Sequence, residues 1–332
     1  MLVRRIIQRW LGFGDVIIQS YHIYQIHQTV YVRGRVLRED NVISRPTDGW
    51  LRSLWHMLKR LASDELPHVA LSIKLGDAVY QMQADHEGFF EHYVDKISQT
   101  IERCELRIYP TQLTTRQSSD VLLHIPIYQF SQQASHGIIS DIDDTILKTG
   151  VVSRFKWRLI INTLFVSPSR RKSFPRTAAV FNRFVSPDNP IFYISNSPWN
   201  MHTYLQEYLE YQGFPEGILL LRDIDFLKWK TKELELQNKY QEIIKVLAAH
   251  EELTFILIGD AGEVDIDIYE QIARHHPKRI SAIYIRSVKS KKRMHRVRKF
   301  AGSTSPVPII IFDNSSEMAA HAESIGLLEA GM

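Results

Sequence analysis

Six short apolar runs spread through the second half of the 332-residue chain constrain its fold more than any other feature. They are Gly137 to Ser140, Ile191 to Ser195, Ile218 to Leu221, Thr254 to Gly259, Ala282 to Ile285 and Pro308 to Phe312. Near-continuous apolar strands belong to a sheet buried on both faces, whereas a half-solvated sheet alternates. Stretches of helical period lie between the runs, and that alternation predicts a parallel α/β sheet. Ser197 followed by Pro198 predicts a helix start, and Gly213 predicts a stop.

Before about residue 131 the grammar differs. Val30 to Leu37, Val69 to Leu75, Ala78 to Gln83, Glu105 to Tyr109 and Val121 to Ile127 read as short strands. Asp85-His86-Glu87-Gly88 is a turn that predicts a hairpin leading into Phe89-Phe90. Leu51, Leu54, Trp55, Leu58 and Leu61 recur at helical spacing within residues 49–63. Residues 1–130 are therefore expected to form a β-rich domain, an antiparallel sandwich or barrel with a helical insertion. Residues 131–332 form the α/β domain. A length of 332 residues suits two such domains.

Chemistry concentrates at the ends of three of the six runs. The first ends in Asp141-Ile142-Asp143-Asp144-Thr145, the second in Ser195-Asn196-Ser197, and the fourth in Gly259-Asp260 with Asp265 beyond. In an open α/β sheet the carboxyl ends of the strands line the ligand crevice. Residues two apart on a strand point the same way, so Asp141 and Asp143 share a pocket. Crowded carboxylates repel until a cation or a shared proton intervenes. A hard, oxygen-seeking cation such as Mg²⁺ fits Asp141 plus Asp260. Asp141 can then attack a phosphoryl group, and Asp143 can protonate the leaving oxygen and afterwards activate water. Lys239, just inside a predicted helix, is placed to neutralise nucleophile and phosphate, and Ser195 to donate to a phosphate oxygen.

Asp141-x-Asp143-x-Thr145, Ser195, Lys239 and Gly259-Asp260-x-x-x-x-Asp265 resemble, in order, the four motifs of the haloacid dehalogenase superfamily. An aspartate two residues after the nucleophile resembles the phosphatase and phosphomutase branches. The resemblance implies a haloacid dehalogenase-like parallel sheet with helices on both faces, and an aspartyl-phosphate route. It also implies that Asp143 reaches the metal through its backbone carbonyl.

A narrower likeness runs through Ser140 to Ile146, Thr149-Gly150-Val151, Tyr193 to Trp199, Leu219 to Asp223 and Phe255 to Asp265. These resemble the catalytic domain of the actin-patch phosphatidate phosphatase family, over roughly residues 136–330. Ala261 stands where that family commonly has serine, and Asn238 where a histidine often precedes the lysine. The site set is thus Asp141, Asp143, Lys239 and Ser195 for catalysis, with Thr145, Ser195 and Asn196 toward substrate. Asp141, Asp143, Asp260 and Asp265 are the set toward Mg²⁺.

Blander roles compete at several positions. Asp265 is balanced between the metal and plain helix capping, and Thr145 between substrate and a loop brace. Ser195 could cap the following helix, Lys239 could be a surface lysine, and Trp199 reads as packing. The basic run Arg286, Lys289, Lys291, Lys292, Arg293, Arg296, Arg298, Lys299 reads first as a solvated helix face and second as a contact for anionic lipid. Leu2 to Leu11, interspersed with arginines, reads as a helix packed on the β domain or lying at an interface.

Cys104 is the only cysteine, which excludes internal disulfides and thiolate metal clusters. The net charge of +4 does not mark a polyanion binder, so no nucleic-acid partner is expected. No secretory signal and no spanning stretch of roughly 20 apolar residues is present, so the expected location is cytoplasmic, peripheral to a membrane at most.

The connections between the runs have little room for a separate cap, so the crevice is expected to be open. An open crevice suits a phosphate on a large or surface-bound partner, phosphatidate foremost. A soluble phosphomonoester, a phosphoprotein and a non-catalytic phosphate- or Mg²⁺-sensing module are the alternatives. The sequence leaves the oligomeric state unassigned.

Overall fold

The computed structural model describes residues 16–26, 28–38, 66–94, 97, 99–108, 121–130, 134, 136–142, 145–146, 174–185, 189–222, 232–262, 264–302 and 305–329. The helical patterns at 49–63 and 2–11 fall outside them, as do Asp143, Asp144 and most of the connection after the first strand of the α/β domain. The chain divides into two compact units, Met1–Gln132 and Gln133–Met332.

The first unit is a sandwich of two four-stranded sheets. In one, β1 (Val16–Ile26) and β2 (Thr29–Arg38) form a hairpin, flanked by β5 (Phe89–Val94) on β2 and β8 (Tyr128–Gln129) on β1. In the other the order is β4 (Ala78–Gln83), β3 (Ala70–Leu75), β6 (Arg103–Ile108) and β7 (Val121–Pro126). All pairs are antiparallel except the short β1–β8 pair. Val30, Val32 and Val36 from one sheet and Leu71, Ile73, Cys104, Leu106 and Ile108 from the other share one core. The period of two is clean in β6, where Cys104, Leu106 and Ile108 point inward between Arg103, Glu105 and Arg107. Two distinct sheets on one core make this a sandwich, which decides between the two expected architectures.

The turn at Asp85–Gly88 corrects the sequence reading. It does not close a hairpin: β4 pairs with β3 in one sheet, while β5 pairs with β2 in the other. Asp85 Oδ1 accepts from the backbone N–H of Glu87 at 2.8 Å and of Phe89 at 2.9 Å, which folds the corner on itself. The Val36 N–H then donates to the Gly88 carbonyl at 2.8 Å and draws the departing chain onto β2. Turn chemistry alone cannot tell a hairpin from a corner between sheets.

The second unit holds a six-stranded, wholly parallel sheet. Its strands are β9 (His136–Asp141), β10 (Ile191–Pro198), β11 (Ile218–Arg222), β12 (Thr254–Asp260), β13 (Ile280–Arg286) and β14 (Ile309–Phe312). Each coincides with one of the six apolar runs. The order is β11-β10-β9-β12-β13-β14, so the chain starts in the middle, runs outward to one edge, returns, and runs to the other. Right-handed crossovers then put the helices after β9 and β10 on one face and those before β12, β13 and β14 on the opposite face.

The contacts agree. Helix α1 (Thr177–Val185) packs on α6 (Ser315–Ser324), while α4 (Asp265–His275) packs on α3 (Lys232–Ala249) and α5 (Lys291–Ala301). Every residue of β9, and every residue of β12 except Thr254, is buried, as a two-sided sheet requires.

Helix α2 (His202–Tyr211) stops as expected. Gly213 takes φ +71, its N–H donates to the Glu210 carbonyl, and the Phe214 N–H reaches back to Leu209, a left-handed cap that satisfies the last carbonyls. Its start differs from the expectation at Ser197-Pro198. The strand continues to Pro198, and a short 3-10 turn, Trp199–Met201, precedes the helix. Trp199, 2% exposed, is a packing residue stacked beside His202.

Candidate active site

The strand order reverses between β9 and β12, and these two strands and β10 end in the residues singled out above. Asp141 is the last residue of β9, paired through Ile194 to β10, and Asp260 is the last of β12. Ser140 pairs with Ile258, so Asp260 stands one step beyond the level of Asp141 on the neighbouring strand. The carboxyl edge at such a reversal is where an open α/β sheet leaves a crevice.

Lys239 lies two turns into α3, deeper than the edge position the sequence suggested, and it is no surface lysine. Its Nζ donates to Asp141 Oδ1 at 2.8 Å and to Asp265 Oδ1 at 2.5 Å. Lys239 is 3% exposed and both aspartates are 0% exposed. A buried ammonium survives only when its charge is matched and its protons are placed, and two carboxylates do both.

Asp265 is equally committed. Its second oxygen accepts from the backbone N–H of Asp260 at 3.1 Å. It is the first residue of α4; the capping position belongs to Val264. The plain-cap reading of Asp265 is thus set aside: this carboxylate ties Lys239 to the Asp260 loop. Asp260 Oδ1 in turn accepts from the Gly262 N–H and shapes that loop.

Gly259 makes the tie possible. A Cβ there would lie 2.5 Å from Asp265 Oδ2 and 2.8 Å from the Tyr269 ring. Only glycine lets the Asp265 carboxylate reach past the strand end to Lys239.

Ser195 and Thr145 are buried, Ser195 at 3% and Thr145 at 0%. Ser195 Oγ accepts from the Ser197 N–H at 2.9 Å, a bond within the strand end, so it does not cap the distant α2. Asn196 beside it is half-buried. The Thr145 hydroxyl has no hydrogen-bond partner among the described residues. Asp141, Lys239, Asp265 and Asp260 are joined by direct bonds, Ser195 by the strand register, and Asp143 lies outside the described residues.

The sequence reading missed Arg286. It heads the basic run, and composition assigned it to a solvated face. Instead it is the last residue of β13, paired with Asp260, and 3% exposed. Its Nε donates to the Thr145 carbonyl at 3.0 Å, and its Nη2 reaches Thr177 Oγ1 and Ser315 Oγ, both at 3.1 Å. Its guanidinium lies against the rings of Phe174 and Phe312. Burial pushes its pKa down to about 10, and the Asp260 carboxylate opposes that, so it stays charged at neutral pH. The strand carrying it was the available signal: a residue at the carboxyl end of a buried strand faces the crevice whatever follows it.

Arg286→Met keeps the length, removes the donors and leaves the Thr145 carbonyl unmet. A loss of about 2–4 kcal/mol is expected, read as a lower urea midpoint at unchanged slope.

Among the described residues no three His, Cys, Asp or Glu side chains come together as a ready metal cage. The donor chemistry nonetheless fits a hard divalent cation. Of three fully buried carboxylates, Asp141 and Asp265 pair with Lys239, and Asp260 is tied to Asp265 through its backbone N–H, with Arg286 beyond. Negative charge remains in excess at the crevice, and carboxylate oxygen is what Mg²⁺ prefers.

A parallel α/β sheet with an aspartate tipping its central strand, a lysine from a helix on one face and an acidic loop on the next strand is the arrangement that the resemblance to the haloacid dehalogenase superfamily implied. Residues 136–287 match the family model of the phosphatidate phosphatase APP1 catalytic domain. Over that stretch the chain is similar to this family.

Phosphatidate phosphatase APP1 of Saccharomyces cerevisiae is 34% identical over 152 residues, which cover 45% of this chain and 25% of that protein. An uncharacterized protein of Schizosaccharomyces pombe is 28% identical over 154 residues, 46% of this chain and 25% of its own length. The chain thus spans about a quarter of the length of these curated relatives. A dehalogenase crystal structure covers 57% of this chain and 98% of its own at 11% identity and a TM-score of 0.34. That value is too low to bear on the fold, which rests on strand order and register.

Proposed function

We infer that this chain is a Mg²⁺-dependent phosphomonoesterase that works through an aspartyl-phosphate on Asp141, with phosphatidate as its substrate. The observation that carries the reading is the buried pairing of Lys239 with Asp141 and Asp265 at the carboxyl edge of the sheet. A structural ion pair has no need of a strand tip facing a crevice. The match of residues 136–287 to a phosphatidate phosphatase catalytic domain supports the substrate class.

The chemistry assigns one role to each group. An Asp141 oxygen attacks phosphorus; the new O–P bond forms as the P–O bond to the alcohol breaks. Asp143 gives its proton to the departing oxygen. It then takes a proton from the water that attacks the phosphoryl group, and so returns the Asp141 carboxylate and frees inorganic phosphate. Lys239 holds the nucleophile's other oxygen and offsets phosphate charge, while Asp265 keeps the ammonium in place. Ser195, Asn196 and Thr145 are the polar groups available to the phosphate oxygens. Asp141 and Asp260, with Asp143 and Asp265, would hold Mg²⁺, which supplies charge neutralisation at the attacked phosphoryl group when bound.

The test is phosphate release by the full chain from phosphatidate vesicles and from a soluble aryl phosphate, each with Mg²⁺ and with chelator. Release from both, abolished by chelator, is the expected result. Release from the aryl ester alone would remove the lipid. No release from either would refute the enzyme.

A further inference from the structure

Helix α5 is unusual in what it exposes. Its sequence, KKRMHRVRKFA, holds no acidic residue. Met294 and Val297 are buried and anchor it to the unit. Its exposed positions are Lys291, Lys292, His295, Arg298 and Lys299. At 100° per residue these five fall within one arc of about 120°, opposite the buried pair. One solvent face of the helix is therefore wholly basic, in a chain whose net charge is only +4.

Part of that charge is placed against the helix's own preference. A helix N-terminus is the positive end of the macrodipole and favours acids, yet the first turn here is Lys291-Lys292-Arg293. Ser290 stands at the capping position without making a capping bond. A merely solvated face would be mixed in sign. A uniformly basic face that runs the length of its helix and keeps two lysines at the unfavourable end is instead suited to an outside anion.

The face also lies next to the crevice. Arg286, the last residue of β13, pairs with Asp260, and only Ser287 to Ser290 separate it from α5. Lys289 on this short connection is exposed. Arg293 lies against the acidic loop: a Cβ on Gly262 would sit 3.0 Å from Asp260 Oδ1 and 3.3 Å from Arg293 Nη1. Arg296 pairs with Asp267 at 3.1 Å and fixes α5 on α4, the helix that starts at Asp265. Arg293 and Arg296 thus fix helix α5 beside the acidic loop, with the basic face on its solvent side.

We propose that the exposed face of α5, with Lys289, docks the domain on an anionic membrane surface and so brings a lipid-borne phosphomonoester to Asp141. The choice of a lipid surface over another polyanion rests on the phosphatidate reading above. A flat, one-sided, uniformly basic patch complements a sheet of anionic head groups, where each lysine or arginine raises partitioning about fivefold.

The experiment compares the full chain with the quadruple variant Lys291→Gln, Lys292→Gln, Arg298→Gln and Lys299→Gln. Co-sedimentation is measured with phosphatidylcholine vesicles made with and without phosphatidylserine, and phosphate release with phosphatidate in those vesicles and with a soluble aryl phosphate. Wild type should sediment with the serine-lipid vesicles in a salt-sensitive way. The variant should lose that binding by roughly 600-fold. Its aryl phosphatase rate and thermal midpoint should match wild type, while release from vesicles falls.

Equal sedimentation of variant and wild type overturns the proposal, as does wild-type binding indifferent to phosphatidylserine. So does tighter, competing binding to a DNA duplex. Sedimentation needs no turnover, so an inactive wild type that still binds through this face would refute the phosphatase and leave the docking surface standing.

Discussion

Asp141→Asn is expected to lower phosphate release by about 10⁴-fold or more while leaving the fold intact. The change is isosteric and removes only the nucleophile's charge. Asparagine keeps a carbonyl oxygen where Asp141 Oδ1 accepts from Lys239 at 2.8 Å. Asp265, on the other side of the ammonium, still supplies a full counter-charge at 2.5 Å. Crowding of buried carboxylates is relieved at the same time, so the unfolding free energy should change by no more than about 1 kcal/mol in either direction. Loss of turnover without loss of stability separates a nucleophile from a structural acid. A variant that released phosphate at near wild-type rate would remove Asp141 from the reaction and with it the proposed intermediate.

How far the sequence already displayed this site depends on whether a residue's role is local. All six strands of the α/β domain were legible because a two-sided parallel strand has one composition, apolar throughout, that little else imitates. The strand tips were legible for the same reason: polarity at the end of such a run has few explanations. Arg286 was not. Its neighbours on one side are strand and on the other a basic run, and only the pairing with Asp260 reveals which group it joins. Asp265 was half legible: its position in a helix's first turn suggested a cap, whereas both its oxygens are taken by Lys239 and Asp260. No local rule reports a bond to a lysine 26 residues earlier.

The β sandwich was less legible still. β1 escaped notice because its register shifts between Ser20 and His22 and breaks the alternation that would mark it. The corner at Asp85–Gly88 carries the residues of a hairpin turn, and only the identity of the paired strands tells the two apart. Turn chemistry is local and sheet membership is not.

Lys239→Met should be the most destabilising single change in the crevice. Methionine matches the length of the lysine stem but carries no charge, so Asp141 and Asp265, both 0% exposed, lose their shared cation. Stranding buried carboxylates in this way costs about 3–5 kcal/mol, a large part of the 5–15 kcal/mol that typically separates folded from unfolded domains. Turnover should vanish as well, because the nucleophile loses the group that orients it.

Two further measurements identify the cause. Adding Asp265→Asn to Lys239→Met removes one of the stranded charges, so the double variant should regain about 1–2 kcal/mol over the single one, a coupling between neighbours rather than a sum. Mg²⁺ should raise the thermal midpoint of Lys239→Met more than that of wild type, since a bound cation would replace the missing charge and binding to the folded state alone is stabilising. If Lys239→Met unfolds at the wild-type urea midpoint, the buried pairing contributes nothing. The central electrostatic argument for the site would then fail, whatever the activity assays report.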